Sequence, residues 1–139
     1  MSNEDSRRLV NELMISDVIT IGPMANLREA MKMMRKHRVK SLVVEKRSGG
    51  DAWGILTYTT LLRTIIAEEG DIDLLNVYDI ATKPALSVPE SLEVRHAVTL
   101  MLQFDIKRLL VTSDNELKGI LTMNDIVTAI LEKLDEDPS

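Results

Sequence analysis

The chain contains no cysteine, which excludes disulfides and thiolate metal sites. Its two histidines, His37 and His96, lie 59 residues apart and have no metal-ligand spacing, so no metal site is expected. Aromatic residues are scarce, at 3%, so Leu, Ile, Val and eight Met must fill whatever core the chain builds. A basic balance is missing too: the net charge of -5 disfavours nucleic acid as a partner. No apolar run reaches the roughly 20 residues that span a bilayer. The opening Met1-Ser2-Asn3-Glu4-Asp5-Ser6 lacks the pattern of a signal peptide. The expectation is a cytoplasmic protein with no membrane partner. Nucleophile elbow, phosphate-binding loop and dinucleotide fingerprint are all absent. With no catalytic residue to name, an enzyme is not expected.

What the chain does have is a copy of itself. Gly54-Ile55-Leu56-Thr57-Tyr58-Thr59-Thr60 recurs as Gly119-Ile120-Leu121-Thr122-Met123-Asn124-Asp125. Apolar Leu61, Leu62, Ile65 and Ile66 recur 65 places later as Ile126, Val127, Ile130 and Leu131. Leu27, Ala30, Met31 and Met34 recur 67 places later as Val94, Ala97, Val98 and Met101, the two-residue difference falling in the loop between these blocks. Two units of about 60 residues argue for a closed pair, not a solenoid. The 45% hydrophobic and 28% charged content suits a folded domain or two packed half-domains.

Each unit reads in the same order. A short amphipathic stretch, Arg8 to Met14, has its counterpart in Val77 to Ala81. A short strand follows, Asp17 to Ile21 before the breaker Gly22-Pro23, repeated as Pro84 to Pro89. Apolar residues at i, i+3, i+4 and i+7 predict a helix over 26–36, capped by Asn26, and a second over 93–103, capped by Ser91. The continuous runs Ser41 to Val44 and Arg108 to Val111 read as strands buried on both faces. Polar turns, Lys46 to Asp51 and Ser113 to Glu116, then predict antiparallel returns over 54–57 and 119–122. A helix of about ten residues closes each unit. The first unit spans 8–67, the acidic segment 68–76 with its helix-stopping Gly70 is the linker, and the second unit spans 77–134. Residues 1–6 are expected to fray, and the acidic tail 135–139 to be disordered beyond the last helix.

Two copies of strand, helix, strand, strand, helix resemble a tandem pair of CBS domains, the module named after cystathionine β-synthase; such a pair is often called a Bateman module. The resemblance covers about residues 8–134 of this small chain. It rests on Gly-Ile-Leu-Thr followed three places later by Asp125, and on Lys36-His37-Arg38-Val39-Lys40-Ser41-Leu42-Val43-Val44, which is similar to a stretch in the nucleotide-binding γ subunit of AMP-activated kinase. The implied fold class is α+β, with two β-α-β-β-α repeats packed sheet to sheet about a pseudo-twofold axis. The resemblance also implies two clefts. One would combine Met14, Ile19, Val39, Lys40 and Ser41 with Thr122 and Asp125, and the other Ala81, Leu86, Ile106, Lys107 and Arg108 with Thr57 and Thr60. In nucleotide-binding members apolar strand residues hold the adenine, Thr and Asp address ribose or phosphate, and basic residues meet the phosphates.

The residue chemistry agrees for the first set. An ionised Asp125 only accepts hydrogen bonds and suits the two donors of a ribose diol. Thr122 stands just before a helix N-terminus, which favours phosphate, and His37, Arg38 and Lys40 are candidate charge partners. In the second set Thr60 stands where the pattern has Asp. Plainer readings stand beside these. Thr122-x-x-Asp125 is also a helix start, His37 an exposed helix end, and His96 a surface residue. The Met31, Met33, Met34 cluster reads as core or oligomer contact, and Arg7-Arg8 and Lys46-Arg47 read as solvated charge.

The function expected is a regulatory module that binds an adenosyl ligand, AMP, ADP or ATP, with no prosthetic group, and signals to a separate effector protein. S-adenosylmethionine is the rival ligand. A ligand-free dimerisation and protein-interaction module is the rival class. A homodimer joined through helices is expected, because the apolar clusters at 61–66 and 126–131 are wider than one buried stripe requires.

Overall fold

The repeated apolar spacing becomes a repeated set of elements in the computed structural model, which describes residues 7–136, the last two by backbone alone. In chain order these are α1 (Val10–Leu13), β1 (Thr20–Ile21), α2 (Leu27–His37), β2 (Ser41–Val44), β3 (Gly54–Thr57) and α3 (Tyr58–Leu62), which runs on as a π-helical turn over Arg63–Ala67. Then come α4 (Val77–Ile80), β4 (Ser87–Pro89), α5 (Val94–Phe104), β5 (Arg108–Ser113), β6 (Glu116–Thr122) and α6 (Met123–Glu136). The expectations for residues 1–6 and 137–139 fall outside the described residues.

The chain packs as two units that cross the repeat boundaries. One is Ile19–Ala85; the other joins the described residues up to Val18 to those from Leu86 onward. In the 19–85 unit, β1 pairs in parallel with β2, and β2 pairs antiparallel with β3 in the register Ser41 to Thr57. The second unit repeats this with β4, β5 and β6, aligning Arg108 with Thr122.

The two cores match position by position. Leu27, Ala30, Met34, Leu42, Val44, Leu56 and Leu61 in the 19–85 unit correspond to Val94, Ala97, Met101, Leu109, Val111, Leu121 and Ile126 in the other. Val77 of α4 completes the first core and Val10 of α1 completes the second. Each short helix therefore packs in the unit opposite to the repeat that it precedes in sequence. Backbone bonds hold it there: Val77 N–H donates to Ala25 O at 2.8 Å, and Val10 N–H to Leu92 O at 2.8 Å.

Local chemistry explains where the elements start and stop. Asn26 accepts from Glu29 N–H at 3.0 Å, and Arg38, with φ 55°, ends α2 in the left-handed conformation. In α5 the expected cap at Ser91 is not used. Glu93 occupies the cap position without a side-chain bond, and Val94 N–H donates instead to Arg8 O at 2.7 Å. The incoming α1 segment thus takes over the work of a capping side chain.

The second hairpin is longer than expected, because Asp114 and Asn115, both at positive φ, make a two-residue turn that lets pairing run from Arg108–Ser113 to Glu116–Thr122. The strands expected over 17–21 and 84–89 shorten to Thr20–Ile21 and Ser87–Pro89. Where a ten-residue helix was expected after β3, only five residues are α-helical before the π turn. Conversely, α6 continues through Glu136, two residues into the expected tail, and Pro138 follows soon after. Segment 68–76 is tied to the fold: Leu27 and Arg28 N–H donate to Leu75 O and Ile72 O, both at 3.1 Å, and Arg28 bonds Asp73 at 2.6 Å. The left-handed residue there is Glu69, with φ 53°, and not Gly70.

Candidate functional site

In the second unit β6 delivers Thr122 to the start of α6. Thr122 Oγ1 accepts from Asp125 N–H at 3.0 Å, which caps the helix and fixes the Asp125 carboxyl beside its first turn. Asp125 Oδ2 is buried and has no hydrogen-bond partner among the described residues. A buried acceptor without a donor is destabilising by about 1–3 kcal/mol, and more when charged. The strand register puts Arg108 beside Thr122, and Met123 N–H donates to Lys107 O at 2.9 Å. Ile106 packs against the same core.

The N-terminal segment reaches this place along the edge of β6. Ile15 bridges Ile120, and a Cβ on Gly119 would lie 2.7 Å from both Ile15 O and Met14 Sδ. Gly119 is therefore bare so that Met14 and Ile15 can lie against the strand. Leu86 accepts from Leu110 N–H at 3.0 Å, one strand further on.

The 19–85 unit repeats the design with different chemistry. Thr57 Oγ1 accepts from Thr60 N–H at 3.4 Å, and the two threonine hydroxyls lie 3.4 Å apart. Thr60 is buried, so a short neutral group occupies the place of the Asp125 carboxylate. Ser41 pairs with Thr57, and Tyr58 N–H donates to Lys40 O at 3.3 Å. Val39, Ile19 and Ala81 pack on this unit's core. His37, Arg38 and Lys40 are exposed along the approach to β2. The structure thus gathers Met14, Leu86, Ile106, Lys107, Arg108, Thr122 and Asp125 in one unit, and Ile19, His37, Arg38, Val39, Lys40, Ser41, Thr57, Thr60 and Ala81 in the other. Each set expected from the resemblance draws on both units.

Sequence reasoning missed a polar cluster in the 19–85 unit. Lys83 Nζ donates to Asp51 Oδ2 at 2.6 Å and lies 4.1 Å from the Tyr78 ring centre. Arg47 covers Tyr78 at 4.6 Å, and Lys46 lies 5.7 Å from the Trp53 ring centre. Lys46 and Arg47 are exposed, as solvated charge should be, and each also lies over an aromatic ring. The Lys83 bond, with the Arg47 and Ala52 N–H groups, lowers the Asp51 pKa to about 2. The signal in the sequence was that two of only four aromatic residues, Trp53 and Tyr78, flank these charges.

Alongside α2 and α3 runs an apolar groove of about 720 Å³, floored by Met31, Leu61, Ile65 and Ile66 and edged by Arg28, Lys32 and Arg35. Met34 and Met33 pack in the core while Met31 is exposed toward the groove. Among the described residues no group of three or more His, Asp or Glu side chains is placed to hold a metal ion, and no helix is long and apolar enough to cross a membrane.

Comparison with known proteins agrees with this architecture. The chain is 32% identical over 140 residues to an uncharacterized 33.4 kDa protein in a ribosomal RNA operon of Thermofilum pendens, covering 94% of this chain and 46% of that one. It is 34% identical over 113 residues to inosine-5'-monophosphate dehydrogenase of Korarchaeum cryptofilum, covering 81% of this chain but only 22% of the enzyme. The chain thus spans half or less of the length of these two curated relatives. Among solved structures, the hexameric CBS-CP12 protein from bloom-forming cyanobacteria superposes with a TM-score of 0.83 at 30% identity, over 95% of this chain and 75% of that one. The CBS domain matches residues 10–67 and again 77–132, and with two such matches over most of its length the chain belongs to the CBS domain family as a tandem pair.

Proposed function

We propose that this CBS pair is a cytoplasmic regulatory module that binds an adenine nucleotide, AMP, ADP or ATP, and passes the binding state to a separate effector protein. The observation that carries the reading is the buried, unpartnered Oδ2 of Asp125, held by the Thr122 cap at a helix start. Such an oxygen accepts a ribose hydroxyl, and the exposed cations Arg38 and Lys40 suit phosphate. S-adenosylmethionine offers the same ribose without phosphate and is the rival ligand.

Titration calorimetry with AMP, ADP, ATP, GTP and S-adenosylmethionine tests this. We expect an adenine nucleotide to bind and Asp125→Asn to weaken it about ten- to a hundredfold, the equivalent of losing a charged hydrogen bond of roughly 1.5–3 kcal/mol. Replacing Arg38 and Lys40 with Gln should weaken ATP more than adenosine. No binding by any of the five compounds, or an unchanged affinity in folded Asp125→Asn, overturns the reading.

The apolar groove favours self-association as a second property. Leu62 and Ile66 along it are 63% and 69% exposed, and contiguous apolar surface of this kind marks interaction sites. A solved neighbour at 30% identity is hexameric, and for this chain we propose a homodimer joined through its helices. Sedimentation equilibrium decides it, and a monomer at about tens of micromolar counts against the dimer.

A further inference from the structure

We infer that the loop between β2 and β3, together with Tyr78 of α4, is a docking surface for an acidic segment of a partner protein. Such a surface rests on the proposed signalling to a separate effector and names the chemistry of that contact. It stands out as a departure from the repeat. Between Val44 and Gly54 the first repeat has nine residues, and between Val111 and Gly119 the second has seven. The shorter hairpin turns on Asp114 and Asn115, and its Glu116 is bonded to Lys118 at 3.1 Å. The longer loop carries Lys46, Arg47 and Trp53. Tyr78 and Lys83 correspond by repeat position to Asn11 and Ser16. The second unit builds the same sheet without any of this cationic and aromatic chemistry, so the fold does not require it.

The added residues are held in order. Asp51 accepts from Arg47 N–H at 2.7 Å and from Lys83 Nζ at 2.6 Å, and its own N–H donates to Ser48 O at 3.1 Å. The Lys83 and Asp51 side chains are only 13% and 17% exposed, so this pair lies inward and Lys83 is already neutralised. Lys46 and Arg47 are exposed. Among the described residues both are held by rings, Trp53 and Tyr78, and neither by a carboxylate. A ring orients a cation and leaves its charge in place, and charges fixed in advance lose less entropy when a partner binds.

Trp, Tyr and Arg are also the side chains that dominate protein interfaces. Trp53 and Tyr78 are two of the chain's four aromatic residues, and neither belongs to a hydrophobic core. The Trp53 indole N–H is buried with no acceptor among the described residues, and a carboxylate is the strongest acceptor that a protein partner offers it. Asp114 and Glu116 on the other hairpin repel the same acidic segment, which confines it to one repeat. A nucleic acid would need a broader basic face than two cations on a chain of net charge -5.

Trp53 is the chain's one tryptophan, so its fluorescence reports on this loop alone. The probe is decaglutamate, set against decaglutamine, inorganic pyrophosphate and decathymidylate. At low salt decaglutamate should change the Trp53 emission saturably and decaglutamine should not, and added salt should weaken the effect. By anisotropy of dye-labelled decaglutamate, Lys46→Gln/Arg47→Gln should lower affinity about three- to tenfold. Lys32→Gln/Arg35→Gln removes the same charge from α2 and should change it by less than about twofold. Equal losses in the two folded double variants, or no saturable binding by either readout, overturn the surface. Tighter binding of pyrophosphate or decathymidylate than of decaglutamate also overturns it, in favour of a phosphate or nucleic-acid site. Nucleotide calorimetry on the same preparations keeps the two proposals apart. Nucleotide binding without a decaglutamate response removes this surface alone, and a decaglutamate response without nucleotide binding leaves this surface and removes the Asp125 reading.

Discussion

Gly119 and Gly54 open the repeated motif, and their equivalence in sequence conceals an inequality in packing. At Gly119 a new Cβ would meet the Ile15 carbonyl oxygen at 2.7 Å, a backbone atom that moves only with the whole incoming segment. At Gly54 the nearest atom, 2.6 Å away, is Cγ of Lys83, a side chain that can shift only by disturbing its bond to Asp51, and the Thr82 carbonyl oxygen follows at 3.2 Å. Neither glycine has positive φ, so alanine is tolerated by the backbone and recovers about 0.4–1 kcal/mol through the unfolded state. Gly119→Ala should destabilise by about 1–3 kcal/mol and Gly54→Ala by a smaller amount within that range, as read from urea unfolding midpoints. Asp51 supplies a residue-scale test in pH. Its carboxyl is held at about 2 by Lys83 and two backbone N–H groups, below the ordinary value of about 3.9. A folded pKa lowered in this way gives stability that is present above the unfolded value and lost as pH falls toward 2. Asp51→Asn should therefore flatten the loss of stability between about pH 4 and pH 2, with little change in slope at higher pH.

At the scale of elements, helix starts separate what the sequence displays from what it hides. Asn26 precedes an apolar stripe, and its side chain does accept the Glu29 N–H. Ser91 looks equivalent, yet α5 begins at Val94 under a backbone carbonyl from Arg8, 86 residues earlier in the chain. We expect Asn26→Ala to lower stability by about 1 kcal/mol and Ser91→Ala to be nearly neutral, by chemical denaturation. The same distinction governs the rest of the fold. The stripes of α2 and α5, the antiparallel returns to β3 and β6 and the Thr122 cap are local patterns, and the sequence shows them through spacing. The seating of α1 against β6 and of α4 against β3 depends on partners such as Ile15 with Ile120 and Thr82 with Ile55. Gly119 and Gly54 were its trace in the sequence, read as repeat markers and not as points of close approach. The Asp51–Lys83 bond is hidden for the same reason, since its residues lie 32 positions apart with no periodic relation.

At the scale of the whole molecule, one fold is used twice with a different group at the same place. Thr122 and Thr57 cap their helices alike, but the third residue beyond is a carboxylate in one repeat and a hydroxyl in the other. If the ribose acceptor is Asp125, binding should be dominated by one tight site per chain, because the Thr60 hydroxyl is neutral, shorter and already 3.4 Å from the Thr57 hydroxyl. Thr60→Ala should then leave the tight phase nearly unchanged. The stronger test installs the missing group. Thr60 is buried at the position where the second repeat accommodates an aspartate with one oxygen unpartnered, so Thr60→Asp places the same group in a matched frame. A carboxylate in the first turn of α3 also interacts favourably with the helix N-terminus, which offsets part of its desolvation. Calorimetric titration with the nucleotide that binds the parent chain should show a second phase in Thr60→Asp, strengthened about tenfold or more relative to any weak phase of the parent. Loss of that phase should not follow from adding Asp125→Asn, which removes the first phase alone. If folded Thr60→Asp, verified by circular dichroism, titrates like the parent, then the carboxylate does not by itself make the site, and the difference between the repeats must lie in their basic approaches, Lys36 to Lys40 in one and Asp105 to Arg108 in the other.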